Sequence, residues 1–142
     1  MSLFEFTVPG PPISHQSRNK DRLAKWQQTV RSAASKAWGS QSPLAIQLII
    51  VVTYYHEGQS VRIDNDNMVK PIQDALIGLV YEDDRWITDT IVRKTSVDGL
   101  FQIRGYPLVL LEALSRGDEF LHVIVDRAPI HDKPLKGPYD EV

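Results

Sequence analysis

The chain has no cysteine, which excludes a disulfide framework, a thiolate metal site and a cysteine nucleophile, and fits a reducing cytoplasm. Long apolar runs are also missing. The longest, Leu44 to Tyr55, is interrupted by Gln47 and Thr53 and is too short to span a bilayer, so no membrane role is expected. The opening MSLFEFTVPGPP lacks the basic segment and the apolar core of roughly 7–15 residues that make a signal peptide. No GxxxxGK run is present, so no nucleotide cofactor is expected. Positive charge is not in excess either: the net charge is −2, where a phosphate-binding protein normally carries a basic footprint.

The charge is unevenly spread. From His15 to Trp38 the charged residues are Arg18, Lys20, Asp21, Arg22, Lys25, Arg31 and Lys36, six positive against one negative. From Glu57 to Asp89 eight carboxylates (Glu57, Asp64, Asp66, Asp74, Glu82, Asp83, Asp84, Asp89) face only Arg62, Lys70 and Arg85. A basic and an acidic segment in one small domain suit a polyanion held by the first and a metal held by the second, or two solvated faces of opposite sign.

A chain of 142 residues suits a single domain that buries well over half of its unfolded surface. Alternation in LFEFTV predicts a strand over Leu3 to Val8, ended by the PGPP run, whose prolines lack amide donors and make Pro9 to Ser14 a rigid loop. Arg18 to Trp38, free of proline and glycine, places Leu23, Trp26, Val30, Ala33, Ala34 and Ala37 at helical spacing, with most of the basic residues on the opposite face. Gly39 to Pro43 stops that helix. The β-branched and aromatic run Leu44 to Tyr55 predicts a central strand. Asp66 to Leu79 predicts a second helix buried through Met68, Ile72, Ala75, Leu76 and Leu79, with Pro71 about one turn in, where its missing amide costs little. Trp86 to Val97 reads as a strand, Phe101 to Arg104 as a short strand, Pro107 to Leu114 as a short helix and Phe120 to Val125 as a strand. The expectation is a two-layer α/β (α+β) domain over residues 1–127, a mixed sheet with helices packed on it, followed by an extended or partly disordered tail over residues 128–142.

The chemistry-bearing segment is RIDNDNMVKPIQDALIGLVYEDD, Arg62 to Asp84. Asp64 and Asp66 are two apart, so on extended backbone both carboxylates leave on one side. Held close they repel, and a divalent cation is the usual remedy. The bland alternative is that Asp66 or Asn67 only caps the helix. Lys70 lies one turn after Asp66 on the same side, able to approach a phosphate without sitting on the metal. Glu82, Asp83 and Asp84 follow the helix, where the dipole alone favours cations, and a chain folding back after Leu79 would bring them to the first pair. An EF-hand loop starting at Asp64 fails, since Val69 and Ala75 stand where glycine and glutamate are needed. His15, His56, His122 and His131 have no ligand spacing, although His15, beside the basic segment, is a possible phosphate contact.

The pattern DxDNxxK, an Asp four residues on, LxG and a closing DD, here Asp64 to Lys70, Asp74, Leu76 to Gly78 and Asp83 to Asp84, resembles the RusA family of Holliday junction resolvases. The opening strand, the PGPPIS run and the basic helix carrying Trp26 resemble that family as well, so the likeness covers about the first 100 residues. The resemblance implies a homodimeric α/β endonuclease that cuts four-way DNA junctions symmetrically with Mg2+ or Mn2+. It implies Asp64, Asp66 and Asp84 as essential carboxylates, Asp83 as a partner or substitute for Asp84, and Lys70 as the catalytic lysine. Asp74 and Asn67 then become supporting groups, Asp74 holding Lys70. Arg18, Lys20, Arg22, Lys25 and Arg31 would grip backbone phosphates. Two other readings remain open at this point: a branched-DNA-binding protein of the same fold that does not cut, and a module whose acidic loop binds a basic protein.

Overall fold

A computed structural model describes residues 2–58, 61–97 and 107–139. Four strands and three helices follow in the order β1 (Phe4–Pro9), α1 (Lys20–Trp38), β2 (Leu48–His56), α2 (Asn65–Leu76), β3 (Ile87–Ser96), α3 (Leu108–Ser115) and β4 (Phe120–Arg127). A 3-10 turn, Asp84–Trp86, leads into β3.

The strands form one mixed sheet in the order β1-β4-β2-β3, with β2 and β3 parallel and the other two pairings antiparallel. Alternation along the strands sends Phe4, Phe6 and Val8, then Leu121, Val123 and Val125, then Leu48, Ile50, Val52 and Tyr54 to one face, where all are buried. On that face lie α1, through Leu23, Trp26, Val30, Ala34 and Trp38, and α2, through Met68, Ile72, Ala75 and Leu76. Tyr55 and Phe120, on the opposite face, stack with ring centroids 4.9 Å apart and are covered by Leu110 and Ala113 of α3. A third helix on the second face adds to the expected two layers. The α+β fold with its mixed sheet agrees with expectation.

The elements begin and end where local chemistry dictates. Asn19 caps α1 by accepting from the Arg22 amide at 3.0 Å. The strand expected from Leu44 starts instead at Leu48, because Leu44 pairs with the turn after α2: its amide donates to the Val80 carbonyl at 2.8 Å, and its carbonyl accepts from the Glu82 amide at 3.0 Å. α2 ends at Leu76, three residues before the expected stop. Gly78 there takes a positive φ of 80°, which a side chain would resist, and its amide donates to the Tyr81 carbonyl at 2.7 Å, turning the chain back. The short strand expected over Phe101 to Arg104 lies outside the described residues. Residues 128–139 form no helix or strand, and the tail is fastened near its root by the Ala128 amide to the Gln47 carbonyl at 3.0 Å and by His131 to Asp89 at 2.7 Å.

Pro71 sits in the second turn of α2, not the first, so its missing amide leaves the Asn67 carbonyl without its helical partner. The His15 backbone amide fills that place at 2.8 Å and fastens the proline-rich loop to the helix.

Arg31 supports the other end of α2. Its Nη1 donates to the carbonyls of Ala75 (3.0 Å) and Ile77 (2.8 Å), acceptors that a helix C-terminus leaves open. Arg31→Met is expected to lower the unfolding free energy by about 1–3 kcal/mol. Urea unfolding followed by tryptophan fluorescence reads this, and an unchanged midpoint would remove the guanidinium from the support of α2.

Candidate active site

α2 connects the parallel strands β2 and β3, and its N-terminus lies against the carboxyl-terminal half of β3, on the side of the sheet where α/β crossovers commonly bind ligands. Asp64 is the N-cap residue by position, yet its side chain makes no capping hydrogen bond, and Asp66 is an acidic residue of the first turn. The capping alternative for Asp66 or Asn67 therefore does not describe this helix. Asp64 and Asp66 are exposed, and neither carboxylate has a partner among the described residues. Two bare carboxylates at one helix start gain from the dipole but repel each other.

One turn further along, Lys70 Nζ donates to Asp74 Oδ1 at 2.9 Å and stands 3.7 Å from Asp84 Oδ2. The fold-back after α2 thus delivers Asp84 to the lysine. Asp83 faces Arg85 instead, at 3.9 Å, which separates the roles of the two adjacent aspartates. The hydrogen bond to Asp74 holds Lys70 above the ordinary lysine value; burial opposes the shift, and the charges of Asp74 and Asp84 add to it. Lys70 is therefore a fixed positive charge at neutral pH. Beneath it, the buried Tyr81 hydroxyl donates to the Gln73 carbonyl at 2.6 Å. Burial raises Tyr81 above the usual tyrosine value, and the nearby Asp74 and Asp84 charges raise it further.

Neighbouring segments brace the acidic turn. Asn65 Nδ2 approaches the Val92 carbonyl of β3 at 3.5 Å, and Lys94 Nζ, two residues along the same strand, donates to the Ile63 carbonyl at 2.6 Å. The His15–Asn67 backbone bond holds the turn from the other side. Sequence reasoning passed over Lys94 and the backbone of His15. The signal for Lys94 was present: strand alternation puts it on the face of Val92, toward the helices, an unusual place for a lysine. The second contact was hidden, because a carbonyl freed by proline does not announce what will take it.

Arg18, just before α1, and Lys20, Arg22 and Lys25, near its N-terminal end, are exposed and without side-chain partners among the described residues, whereas Arg31 is half-buried against α2. A shallow polar groove lined by Gln27, Gln28, Arg31 and Asp74 continues along α1 past Ser32, Ser35 and Lys36.

A divalent cation is tested by the donor set. The available atoms are hard carboxylate oxygens, those of Asp64 and Asp66 uncommitted to any described protein group, and magnesium commonly takes only one or two protein carboxylates. In kind, the residues fit. Among the described residues, no three His, Cys, Asp or Glu side chains form a metal-binding group, so Asp64, Asp66 and Asp84 are not gathered into one cluster.

An acidic helix start with a lysine one turn on is thus mounted on a mixed α+β sheet. Residues 11–101, more than half of the chain, match the family described as Endodeoxyribonuclease RusA, and the chain belongs to that family. Comparison with curated proteins gives no match. No helix among the described residues is long and apolar enough to cross a membrane.

Proposed function

We propose that this protein is a metal-dependent endodeoxyribonuclease that resolves Holliday junctions by symmetric phosphodiester hydrolysis, as a homodimer on branched DNA in recombination and repair. The observation that carries the reading is the meeting of Lys70 with Asp74 and Asp84, one helical turn from the unpartnered Asp64 and Asp66, in a chain of the RusA family.

Asp64, Asp66 and Asp84, or Asp83 in place of Asp84, would hold Mg2+ or Mn2+. When bound there, the ion supplies activation of the attacking water and neutralisation of charge on the phosphate. Lys70 is held beside Asp84 by its bond to Asp74, and its fixed ammonium stabilises negative charge developing on the phosphate oxygens. Arg18, Lys20, Arg22 and Lys25 hold backbone phosphates, and the groove along α1 offers amide and hydroxyl groups to the same strand. A two-fold axis relating two such sites matches the two strands that a symmetric resolvase must cut.

The test is cleavage of a labelled four-way junction against linear duplex of the same sequence, with Mg2+, Mn2+ or chelator. Paired nicks in the junction alone, requiring metal, are the expected result. Lys70→Met is expected to lower the cleavage rate on the order of 10²–10³-fold while junction binding persists. Junction binding without cleavage under either metal would point instead to a non-catalytic junction binder of the same fold.

A further inference from the structure

We infer that Lys94 is a positioning residue for the metal-binding turn, a role that rests on the proposed nuclease reading. Lys94 lies near the end of β3, paired in register with Tyr54 of β2, and reaches across to the Ile63 carbonyl at 2.6 Å. That carbonyl belongs to the residue immediately before Asp64. On the far side of Asp64, Asn65 approaches the Val92 carbonyl of the same strand at 3.5 Å. The carboxylate of Asp64 thus projects from a residue whose two neighbours are both tied to β3. Its side chain makes no capping bond of its own; its backbone is located by these ties, by its carbonyl accepting from the Met68 amide at 2.9 Å, and by the packing of Val61 and Ile63 against the core.

The chemistry of the tie suits this role. A lysine donor on a carbonyl is a charge-assisted bond, stronger than a neutral amide pair, and the carbonyl cannot be left bare in a half-buried position without cost. β3 also begins directly after the turn that carries Asp84. One rigid strand therefore sets the position of Asp84 through its start and of Asp64 through Lys94 near its end. Removing the Lys94 contact frees Asp64 to move relative to Asp84 without deleting any carboxylate. A supporting group of this kind typically alters metal affinity by 10–100-fold without touching the ion.

The test compares wild type, Lys94→Met, Lys94→Leu and Lys94→Arg in two measurements: Mn2+ binding by calorimetry, and amide hydrogen exchange over residues 61–67. Lys94→Met keeps the apolar stem and removes the donor. It is expected to weaken Mn2+ binding about tenfold or more and to speed exchange in that segment but not in β1 or β4. Lys94→Arg, which restores a donor, is expected to recover most of the affinity. If Lys94→Met does not fold, Lys94→Leu, which also lacks a donor, serves in its place. Unchanged Mn2+ affinity in the donor-less variant would overturn the inference, as would uniformly faster exchange across the whole protein, the mark of a merely stabilising contact. If wild type itself binds no Mn2+, the nuclease reading fails, and exchange over residues 61–67 decides the positioning role alone, an unchanged rate overturning it.

Discussion

Asp66→Asn is expected to reduce junction cleavage on the order of 10³-fold, about 4 kcal/mol of transition-state stabilisation, while leaving the fold intact. The substitution is nearly isosteric and removes one negative charge. Asp66 is exposed in the first turn of α2, caps nothing and has no partner among the described residues, so the folded state has little to lose beyond its interaction with the helix dipole, about 0.3–1 kcal/mol. Activity and stability are therefore expected to separate. Single-turnover cleavage and thermal unfolding, measured on the same preparation, check this. A variant that melts as expected but cuts at the wild-type rate would strip Asp66 of its metal role and leave it as a dipole partner.

Ile72→Ala is expected to have the opposite signature. Ile72 is fully buried on the face of α2 that meets the sheet, and truncation removes its packing and leaves a cavity, at a cost of about 2–5 kcal/mol. For a domain of this size that corresponds to a fall in melting temperature of roughly 10 °C. Cleavage well below the new melting point should stay near wild type, because Lys70 and Asp74 are partly exposed and paired with each other, whereas Ile72 is fully buried. A urea-unfolding change below about 1 kcal/mol would mean that the core beside Ile72 collapses to fill the space.

Much of the candidate site was legible because its chemistry is local. Asp64, Asp66, Lys70 and Asp74 share one helix, and helical spacing places them before any tertiary contact is known. The arrival of Asp84 at Lys70 required a chain reversal, signalled by Gly78 and the acidic run after it. Asp83 and Asp84 could not be told apart in advance, since which of two adjacent residues faces inward depends on a turn one residue long. Strand identity was readable from alternation; strand partnership was not. Nothing in Ile49 or Val51 says that one neighbour will be the parallel β3 and the other the antiparallel β4. Pro71 was visible as a missing donor, but its consequence depended on a loop some fifty residues earlier.

The sheet order carries a consequence for how the chain must assemble. Among the described residues β1 pairs only with β4, and β4 separates it from β2, the next strand in sequence. During synthesis β1 therefore emerges before β2, β3 and β4, and its partner strand, residues 120–127, arrives last of the four. The segment matching the family ends at residue 101, short of the strand on which the sheet closes. A fragment cut at that boundary would carry every proposed metal ligand and still lack an inner strand, with the edges of β1 and β2 open to other chains. Closure over such a long sequence separation also makes for slow folding relative to a helical protein of the same length.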